Sequence, residues 1–302
     1  MRNVGRTLVC ALFVVATAPG PLLGQAQRAL PNRQGSVKFV AIGDNGTGER
    51  PQYEIADQMS GLHKAFPFDL VIMLGDNMYG GQQPADFVKK FETPYAPLLS
   101  AGVKFQASLG NHDRAENVMY KPFNMNGQRY YSYTKNNVRF FALDSTRMDD
   151  KQLAWIDTSL ERATEDWKIC YFHHPLYSNA DRHGASVDLR VRLEPIFVKH
   201  GVNVVFSGHD HVYERLKPQK GIYYFVSGAA GQLRRGNMSP AEQTAAYFDQ
   251  DQSFMAVEIA GSEMYFEAVS RTGKVVDAGT ITRQARAAAS ASLQPEPAGS
   301  RR

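Results

Sequence analysis

Five apolar segments with the character of β-strands each run into residues of the kinds that bind metal ions. The segments read VKFVAIGDNG, FDLVIMLGDNMY, KFQASLGNHD, WKICYFHHP and VNVVFSGHDH. In an α/β fold, side chains that follow the strands collect beyond the carboxyl ends of the sheet, where ligands bind. The pattern therefore predicts a scaffold in which five loops meet around one metal site.

The rest of the pattern predicts two packed sheets with helices outside them. Runs of strand character lie near 37–42, 69–74, 103–109, 129–134, 137–143, 168–173, 203–207, 222–227, 253–260 and 263–270. The spacing of apolar residues predicts helices over 84–99 and 150–162, the second capped by one of two adjacent aspartates at its start. A third helix is expected over 186–200, where Pro195 should break or kink it. No internal repeat or domain boundary is visible, so we expect a single catalytic domain.

The two ends of the chain differ from its middle. Two arginines precede a short apolar stretch and a small-residue cleavage site, which is typical of a secretory signal peptide over residues 1–26. The apolar stretch is too short to span a bilayer. Residues 284–302 are rich in Ala, Ser and Pro without apolar periodicity, so we expect a disordered tail. The catalytic domain is thus predicted over 27–283.

Charge and cysteine content narrow the class of protein. Removing two of the 34 basic residues with the signal peptide leaves 32 against 30 acidic residues, which argues against a nucleic-acid partner. Cys170 is then the single cysteine of the mature chain, so no internal disulfide can form. Export without disulfides favours a bacterial periplasmic or secreted enzyme. We also expect no stable membrane association and a monomer, although no residue pattern specifies the oligomeric state.

Six residues with metal-binding side chains follow the apolar segments. They are Asp44, Asp76, Asn111, His173, His209 and His211. Hard oxygens combined with imidazoles suit Fe, Zn or Mn and differ from the all-oxygen set of a calcium loop. Six such groups exceed one four-coordinate site, so two metals are implied. Two ions about 3.5 to 4 Å apart form a clamp for phosphoryl chemistry, in which one ion activates water.

The order of five short motifs resembles that of the purple acid phosphatases of the metallophosphoesterase superfamily. The motifs are GDNG, GDNMY, GNHD, the His-x-Pro of HHP, and GHDH. The likeness runs from about residue 37 to about residue 281. It is nearest to the short, mammalian (tartrate-resistant) type, which lacks an N-terminal sandwich domain. The resemblance implies an α/β (α+β) fold, a four-layer αββα sandwich of two mixed β-sheets flanked by helices. It also implies an acid phosphatase that hydrolyses phosphomonoesters.

Tyr79 points to this subfamily. In the broader superfamily the first block is Asp-x-His, whereas here Asp44 is followed by Asn45 and Gly46. The purple acid phosphatases instead carry a tyrosine three residues after the bridging aspartate, which is where Tyr79 stands. A phenol with an unperturbed pKa of about 10 ionises at neutral pH only beside a strongly charged cation, so Tyr79 suits Fe(III).

The resemblance distributes the ligands over a binuclear metal centre. The first metal, expected to be Fe(III), would be held by Asp44, Asp76, Tyr79 and His211. The second, a divalent Fe, Zn or Mn ion, would be held by Asp76, Asn111, His173 and His209. The Asp76 carboxylate would bridge the two ions.

Two further histidines are candidates for proton transfer. A metal-bound hydroxide would attack the phosphorus, and the departing alkoxide would then need a proton from His112 or His183. The sequence does not choose between them, and general acid catalysis by either is worth about 10² to 10⁴-fold. The resemblance also makes Asn111, His112 and His183 the expected substrate-binding residues.

Several nearby residues have open roles. Asp113 either orients a histidine or is a solvent-facing turn residue. His174 is a possible pocket residue. Three arginines either attract anionic substrates or are solvated loop charges, namely Arg114, Arg234 and Arg235. The connection 147–151 is shorter than in mammalian-type enzymes, which suggests an open pocket.

Two other functions remain compatible with the motifs. A phosphodiesterase or nucleotide hydrolase uses the same two-metal clamp, and Tyr79 together with the missing Asp-x-His argues against it. A metal-binding or signalling protein could keep the fold without turnover, and the intact ligand set with His112 and His183 argues against that. The natural phosphoester and the divalent metal are not specified by the sequence.

Overall fold

The computed structural model describes residues 30–283. This part of the chain contains the strands β1 (Val37–Ile42), β2 (Leu70–Leu74), β3 (Lys104–Ser108), β4 (Tyr131–Lys135), β5 (Val138–Ala142), β6 (Trp167–Tyr171), β7 (Val204–Ser207), β8 (Tyr213–Leu216), β9 (Tyr223–Ser227), β10 (Thr244–Phe248), β11 (Ser253–Ala260), β12 (Glu263–Ser270) and β13 (Val275–Thr282). Its helices are α1 (Arg50–Ala65), α2 (Pro84–Phe87), α3 (Ala96–Ser100), α4 (Asp150–Glu161) and α5 (Val187–His200). A π-helical turn (Val88–Glu92) and two 3₁₀ turns (Ala115–Met119, Lys121–Phe123) complete the set.

The strands form two mixed sheets. One has the order β13-β12-β11-β1-β2-β3 and the other β10-β8-β9-β7-β6-β5-β4. β1, β2 and β3 are mutually parallel, as are β5, β6, β7 and β9, whereas the outer strands pair antiparallel. Every residue of β2 and of β6 is buried. Parallel strands covered on both faces are apolar throughout, which explains the continuous apolar runs of the sequence.

The two sheets pack face to face, with helices on their outer sides. Phe39 of β1 meets Phe140 and Phe206 of the other sheet edge to face, at ring-centroid distances of 5.3 and 5.8 Å. On the far side of the second sheet, Ile156 of α4 and Phe197 of α5 are buried in one cluster with residues of β5, β6 and β7. The predicted four-layer arrangement is confirmed.

All ten predicted strands are present, with ends within two residues of those expected.

The helix predicted over 150–162 is α4, and Asp149 caps it, since its Oδ1 accepts a hydrogen bond of 2.9 Å from the Gln152 backbone amide. A break or a kink was expected at Pro195, and α5 continues through that residue without a break. A proline removes one helical hydrogen bond, and burial of Leu193 and Phe197 on either side holds the helix together.

The prediction of a single helix over 84–99 is wrong, because this segment is divided into α2, the π-helical turn and α3. Thr93 donates its amide to Val88 O at 2.8 Å, an i to i−5 bond that widens the turn. Pro94 follows directly and has no N–H to continue the helix. The apolar face is nevertheless used, since Phe91, Tyr95 and Leu98 are buried.

The predicted signal peptide and tail lie outside the described residues, so the boundaries at 26 and 284 stay predictions. Between residues 30 and 283, no helix combines the length and the apolar composition that crossing a membrane requires.

Candidate metal centre

The five predicted loops meet at one edge of the sandwich. Asp44 follows β1, Asp76 follows β2 and Asn111 follows β3, so three of the loops leave neighbouring parallel strands of the first sheet. His173 follows β6, and His209 and His211 follow β7, in the second sheet. The sheets join here, because the His209 amide donates to Asp44 Oδ2 at 2.8 Å. All six candidate ligands identified at strand ends are therefore brought together.

Three of these residues have a left-handed backbone. The φ angles are 55° at Asp44, 52° at Asp76 and 70° at His209. Such conformations cost free energy for non-glycine residues and cluster at functional sites. The surrounding structure therefore maintains an unfavourable backbone conformation directly after these strands, which is typical of a functional site.

Two glycines allow the carboxylates to lie so close to the neighbouring loops. A Cβ atom at Gly110 would stand 2.2 Å from both the amide nitrogen and Oδ1 of Asp76. A Cβ atom at Gly208 would stand 2.5 Å from Asp44 Oδ2. The glycines of GNHD and GHDH are thus required by close approach to the two aspartates.

The ligands predicted for the first metal converge. The Tyr79 hydroxyl donates to Asp44 Oδ1 at 2.9 Å and lies 3.1 Å from His211 Nε2. Burial, and then the charges of Asp44 and Asp76, raise the pKa of the Tyr79 phenol far above its ordinary value. A phenolate at this position therefore needs a strongly charged cation beside it, which fits Fe(III).

The ligands predicted for the second metal surround the buried ring of His173. Its Nε2 lies 3.0 Å from Asn111 Oδ1, 3.1 Å from His209 Nδ1 and 3.4 Å from Asp76 Oδ2. Its Nδ1 lies 2.9 Å from the Leu74 carbonyl, to which an N–H on that atom donates. A histidine held in this way offers Nε2 to a metal.

The electrostatics of the site also fit cations. Asp44 and Asp76 are buried, and within residues 30–283 their ion pairs are with histidines alone. Burial opposes the charged form of His173, but the carboxylates of Asp44 and Asp76 outweigh it and raise its pKa to about 9. Burial and then His173 lower the pKa of His209 to about 2, so that ring is neutral, the form that binds metals. The donor set thus suits the binuclear centre.

His112 and His183 lie at the rim of the site. The His112 side chain is 51% exposed, and its ring is 4.6 Å from the ring of Tyr79. The His183 ring lies 4.3 Å from that of His209. The two candidate proton donors therefore approach the centre from the two predicted metal positions. Burial, and then the charge of Arg234, lower the pKa of His183.

Asp113 has neither of its expected roles. Its Oδ2 accepts the amides of Gly110 at 2.9 Å and Asn77 at 3.1 Å, and its Oδ1 accepts the amide of Met78 at 3.0 Å. The carboxylate thus ties the loop after β3 to the loop after β2. The sequence does not reveal the contact between the loops, since Asn77 and Met78 are more than thirty positions from Asp113.

His174 lies beside the second set of ligands. Its Nδ1 is 2.9 Å from Ser145 Oγ, and its ring is 4.4 Å from that of His209. His174 and Asn111 line an open hollow of about 550 Å³, together with Ser145, Thr146 and residues 185–189. The hollow adjoins the short connection 147–151, where the sequence suggested an open pocket.

Two functional candidates were missed by the sequence analysis. Asp210 is buried between the predicted ligands His209 and His211, and its Oδ2 accepts the Ser178 hydroxyl at 2.6 Å, which anchors the loop carrying His183. Arg182 lies next to His183 and contributes to the lowering of its pKa. Asp210 stands inside the GHDH motif, between the two histidines interpreted as ligands, and Arg182 lies outside the five motifs.

The family comparison agrees with the geometry. Residues 37–213 match the family described as calcineurin-like phosphoesterase. The human tartrate-resistant acid phosphatase type 5 is 26% identical, over 83% of this chain and 92% of the relative. Purple acid phosphatase 17 of Arabidopsis thaliana is 23% identical, over 80% of this chain and 83% of the relative. The resemblance to the purple acid phosphatases is thereby confirmed.

Solved structures share the fold. A purple acid phosphatase from yellow lupin seeds, PPD1, has a TM-score of 0.70 at 19% identity, covering 85% of this chain and 55% of that chain. GAP50, described as the anchor in the inner membrane complex of Plasmodium, has a TM-score of 0.70 at 18% identity, covering 83% and 90%. At these identities the likeness is evidence of fold alone. On the match that spans more than half of its length, the chain belongs to the calcineurin-like phosphoesterase family.

Proposed function

We propose that this protein is an acid phosphatase that hydrolyses phosphomonoesters at a centre of two metal ions. Its family and relatives make it a metal-dependent phosphatase. The two-metal centre and the preference for monoesters are the proposed part. The observation that carries them is the position of the Tyr79 hydroxyl, 2.9 Å from Asp44 and 3.1 Å from His211, in a chain whose first block lacks the Asp-x-His pattern.

The proposed ligands form two sets, one around the Tyr79 hydroxyl and one around the ring of His173. Fe(III) would be held by Asp44, Asp76, Tyr79 and His211, and a divalent Fe, Zn or Mn ion by Asp76, Asn111, His173 and His209. When bound, the two ions supply a nucleophile from water and neutralise the charge that develops on the phosphoryl group. The Asp76 carboxylate would be shared between them.

The remaining residues bind the substrate and move a proton. The amide of Asn111 and the imidazoles of His112 and His183 hold the phosphate oxygens. One of the two histidines gives its proton to the oxygen of the departing alcohol, where the developing negative charge makes general acid catalysis effective. The hollow beside Asn111 and His174 leaves the centre open to substrates from that side.

The test uses purified protein with its metals. Turnover is measured on an alkyl phosphomonoester, a bis-ester and ATP, and the metals are quantified in the same sample. The proposal expects two metals per chain and the highest kcat/KM on the monoester. A higher kcat/KM on the bis-ester or on ATP would favour the phosphodiesterase or nucleotide hydrolase, and a metal-loaded protein without turnover would favour a metal-binding role.

We also propose that the protein is exported, to the periplasm or the medium, and that it is a monomer. The signal-like segment over residues 1–26 supports the first statement. N-terminal sequencing of the exported protein should give a start near Gln27. Light scattering should give the mass of one chain.

A further inference from the structure

Two arginines lie at the rim of the metal centre. The Arg234 amide donates to the His211 carbonyl at 3.0 Å, and its Nε lies 3.3 Å from His211 Nδ1. Arg182 directly precedes His183, whose ring packs on that of His209. Each arginine is thus placed beside a residue of the site.

The loops that carry these arginines are joined to each other. Ala180 and Met238 form an antiparallel bridge, and the Asp181 amide donates to Asn237 O at 2.8 Å. This pairing puts Arg182 and Arg234 on two loops that are hydrogen-bonded to each other. Burial and then the charge of Arg182 lower the pKa of Arg234, as expected for two cations on joined loops.

Neither guanidinium forms an ion pair with a carboxylate among residues 30–283. Other arginines of the same region are paired, such as Arg215, whose Nε and Nη2 lie 2.7 and 3.1 Å from the carboxylate oxygens of Asp277. The charges of Asp210 and Asp44 favour the charged form of Arg234, although neither carboxylate forms an ion pair with it within residues 30–283. Two like charges held together without a counter-ion favour the binding of an anion between them.

We propose that Arg182 and Arg234 form a second anion subsite, which selects phosphomonoesters that carry another negatively charged group. The inference rests on the proposed function. The reacting phosphate occupies the metal centre, and the part of the ester that faces His183 also faces the two arginines. A planar guanidinium forms paired hydrogen bonds with a carboxylate as well as with a phosphate. The second charged group of the substrate is therefore a carboxylate or a second phosphate.

The test uses three esters with the same three-carbon chain. They are 3-hydroxypropyl phosphate, the phosphate ester of 3-hydroxypropanoate, and 1,3-propanediol bisphosphate. Charge-assisted hydrogen bonds contribute about 1.5–3 kcal/mol, so the wild-type kcat/KM should be about 10 to 100-fold higher on the two doubly anionic esters, mainly through KM. Comparing kcat/KM on the carboxylate ester with that on the bisphosphate shows which of the two anions the subsite prefers.

Arg182→Gln and Arg234→Gln should each reduce this preference, and the double variant should bring the ratio close to one. Arg235→Gln is the matched control, since it removes the exposed charge next to Arg234 and should leave the ratio unchanged. Metal content and melting temperature are measured first, so that a misfolded variant is recognised.

A wild-type ratio near one, or a preference that survives the double variant, would overturn the proposal. An equal loss on all three esters would overturn it too, because the arginines would then bind the reacting phosphate. If no ester is hydrolysed, the proposed function fails instead, and calorimetric binding of 1,3-propanediol bisphosphate tests the subsite alone. In that case Arg182→Gln must weaken binding more than Arg235→Gln does, or the subsite is rejected.

Discussion

Asp76 lies between the two groups of metal-binding side chains. Its Oδ1 accepts the His112 amide at 2.8 Å, and its Oδ2 lies 3.4 Å from His173 Nε2. The donor atoms of Asp44, Asp76 and His173 all lie within 4.8 Å of one another. This position suits a shared carboxylate, whose loss would leave two close cations without their common anion.

Asp76→Ala should therefore lower the occupancy of both metals, whereas His173→Ala should mainly empty the divalent position. Metal analysis of the two purified variants beside the wild type measures this. The shared role is wrong if Asp76→Ala retains the wild-type content of both metals, or if it loses the divalent ion alone.

The proton donor can be found by comparing leaving groups. Replacing the donor, either His112 or His183, with Ala should reduce kcat on an alkyl phosphate by about 10² to 10⁴-fold. The loss should be smaller on p-nitrophenyl phosphate, because its leaving group departs readily as an anion. Equal losses on both substrates, with metals intact, would mean that the histidine binds phosphate and does not donate the proton.

The pH profile adds a second readout for His183. Burial and then Arg234 lower its pKa, so the protonated donor form is lost at a lower pH than in an unperturbed histidine. If His183 is the donor, alkyl phosphate turnover should fall as the pH rises through that lowered pKa, and this limb should be absent in His183→Ala. A limb that persists in the variant would assign the proton to another group.

At the level of elements, Asp113 holds the loops after β2 and β3 together through amide hydrogen bonds from Gly110, Asn77 and Met78. Asp113→Asn turns an N–H₂ group toward one of these amides, which should cost about 1–3 kcal/mol of unfolding free energy. Because Asp76 and Asn111 lie on the same loops, metal affinity should also fall, by about 10 to 100-fold.

Asp149→Ala is the control for this variant, since loss of the α4 cap should cost about 1 kcal/mol and, within residues 30–283, the Asp149 side chain forms no hydrogen bond with a proposed ligand. Denaturant unfolding and metal titration of both variants distinguish local support from general destabilisation. Equal metal affinity in Asp113→Asn and Asp149→Ala would contradict the role given to Asp113.

The sequence predicted the elements whose pattern is set by burial. Strands such as β2 and β6 are buried throughout and read as continuous apolar runs. Three strands were missed: β8, β10 and β13. β10 and β13 lie at sheet edges and are largely exposed or half-buried, so their pattern is weak, and β8 has only four residues. Pro195 does not break α5, because packing on both sides of it outweighs one lost hydrogen bond.

The site was predictable where a motif follows a strand. Asp44, Asp76, Asn111, His173, His209 and His211 all meet as expected. The contacts of Asp113, Asp210 and Arg182 depend on which loops become neighbours in space, and nothing in their local sequence specifies that.

At the scale of the whole molecule, the candidate centre joins the two sheets. Its aspartates and Asn111 come from the loops of the first sheet, and its histidines come from the loops of the second. Tyr79 belongs to a loop of the first sheet and contacts His211 of the second. A metal bound at Tyr79 would therefore depend on the assembled sandwich and not on either sheet alone.

The visible absorption spectrum of the iron-containing protein tests this account most directly. A Tyr79 phenolate on Fe(III) predicts a charge-transfer band and a violet or pink colour, and Tyr79→Phe should remove the band. Tyr95→Phe, which alters a buried tyrosine packed on Phe91 and Phe105, should keep it. A colourless wild type with full iron content, or a band that survives in Tyr79→Phe, would contradict the account.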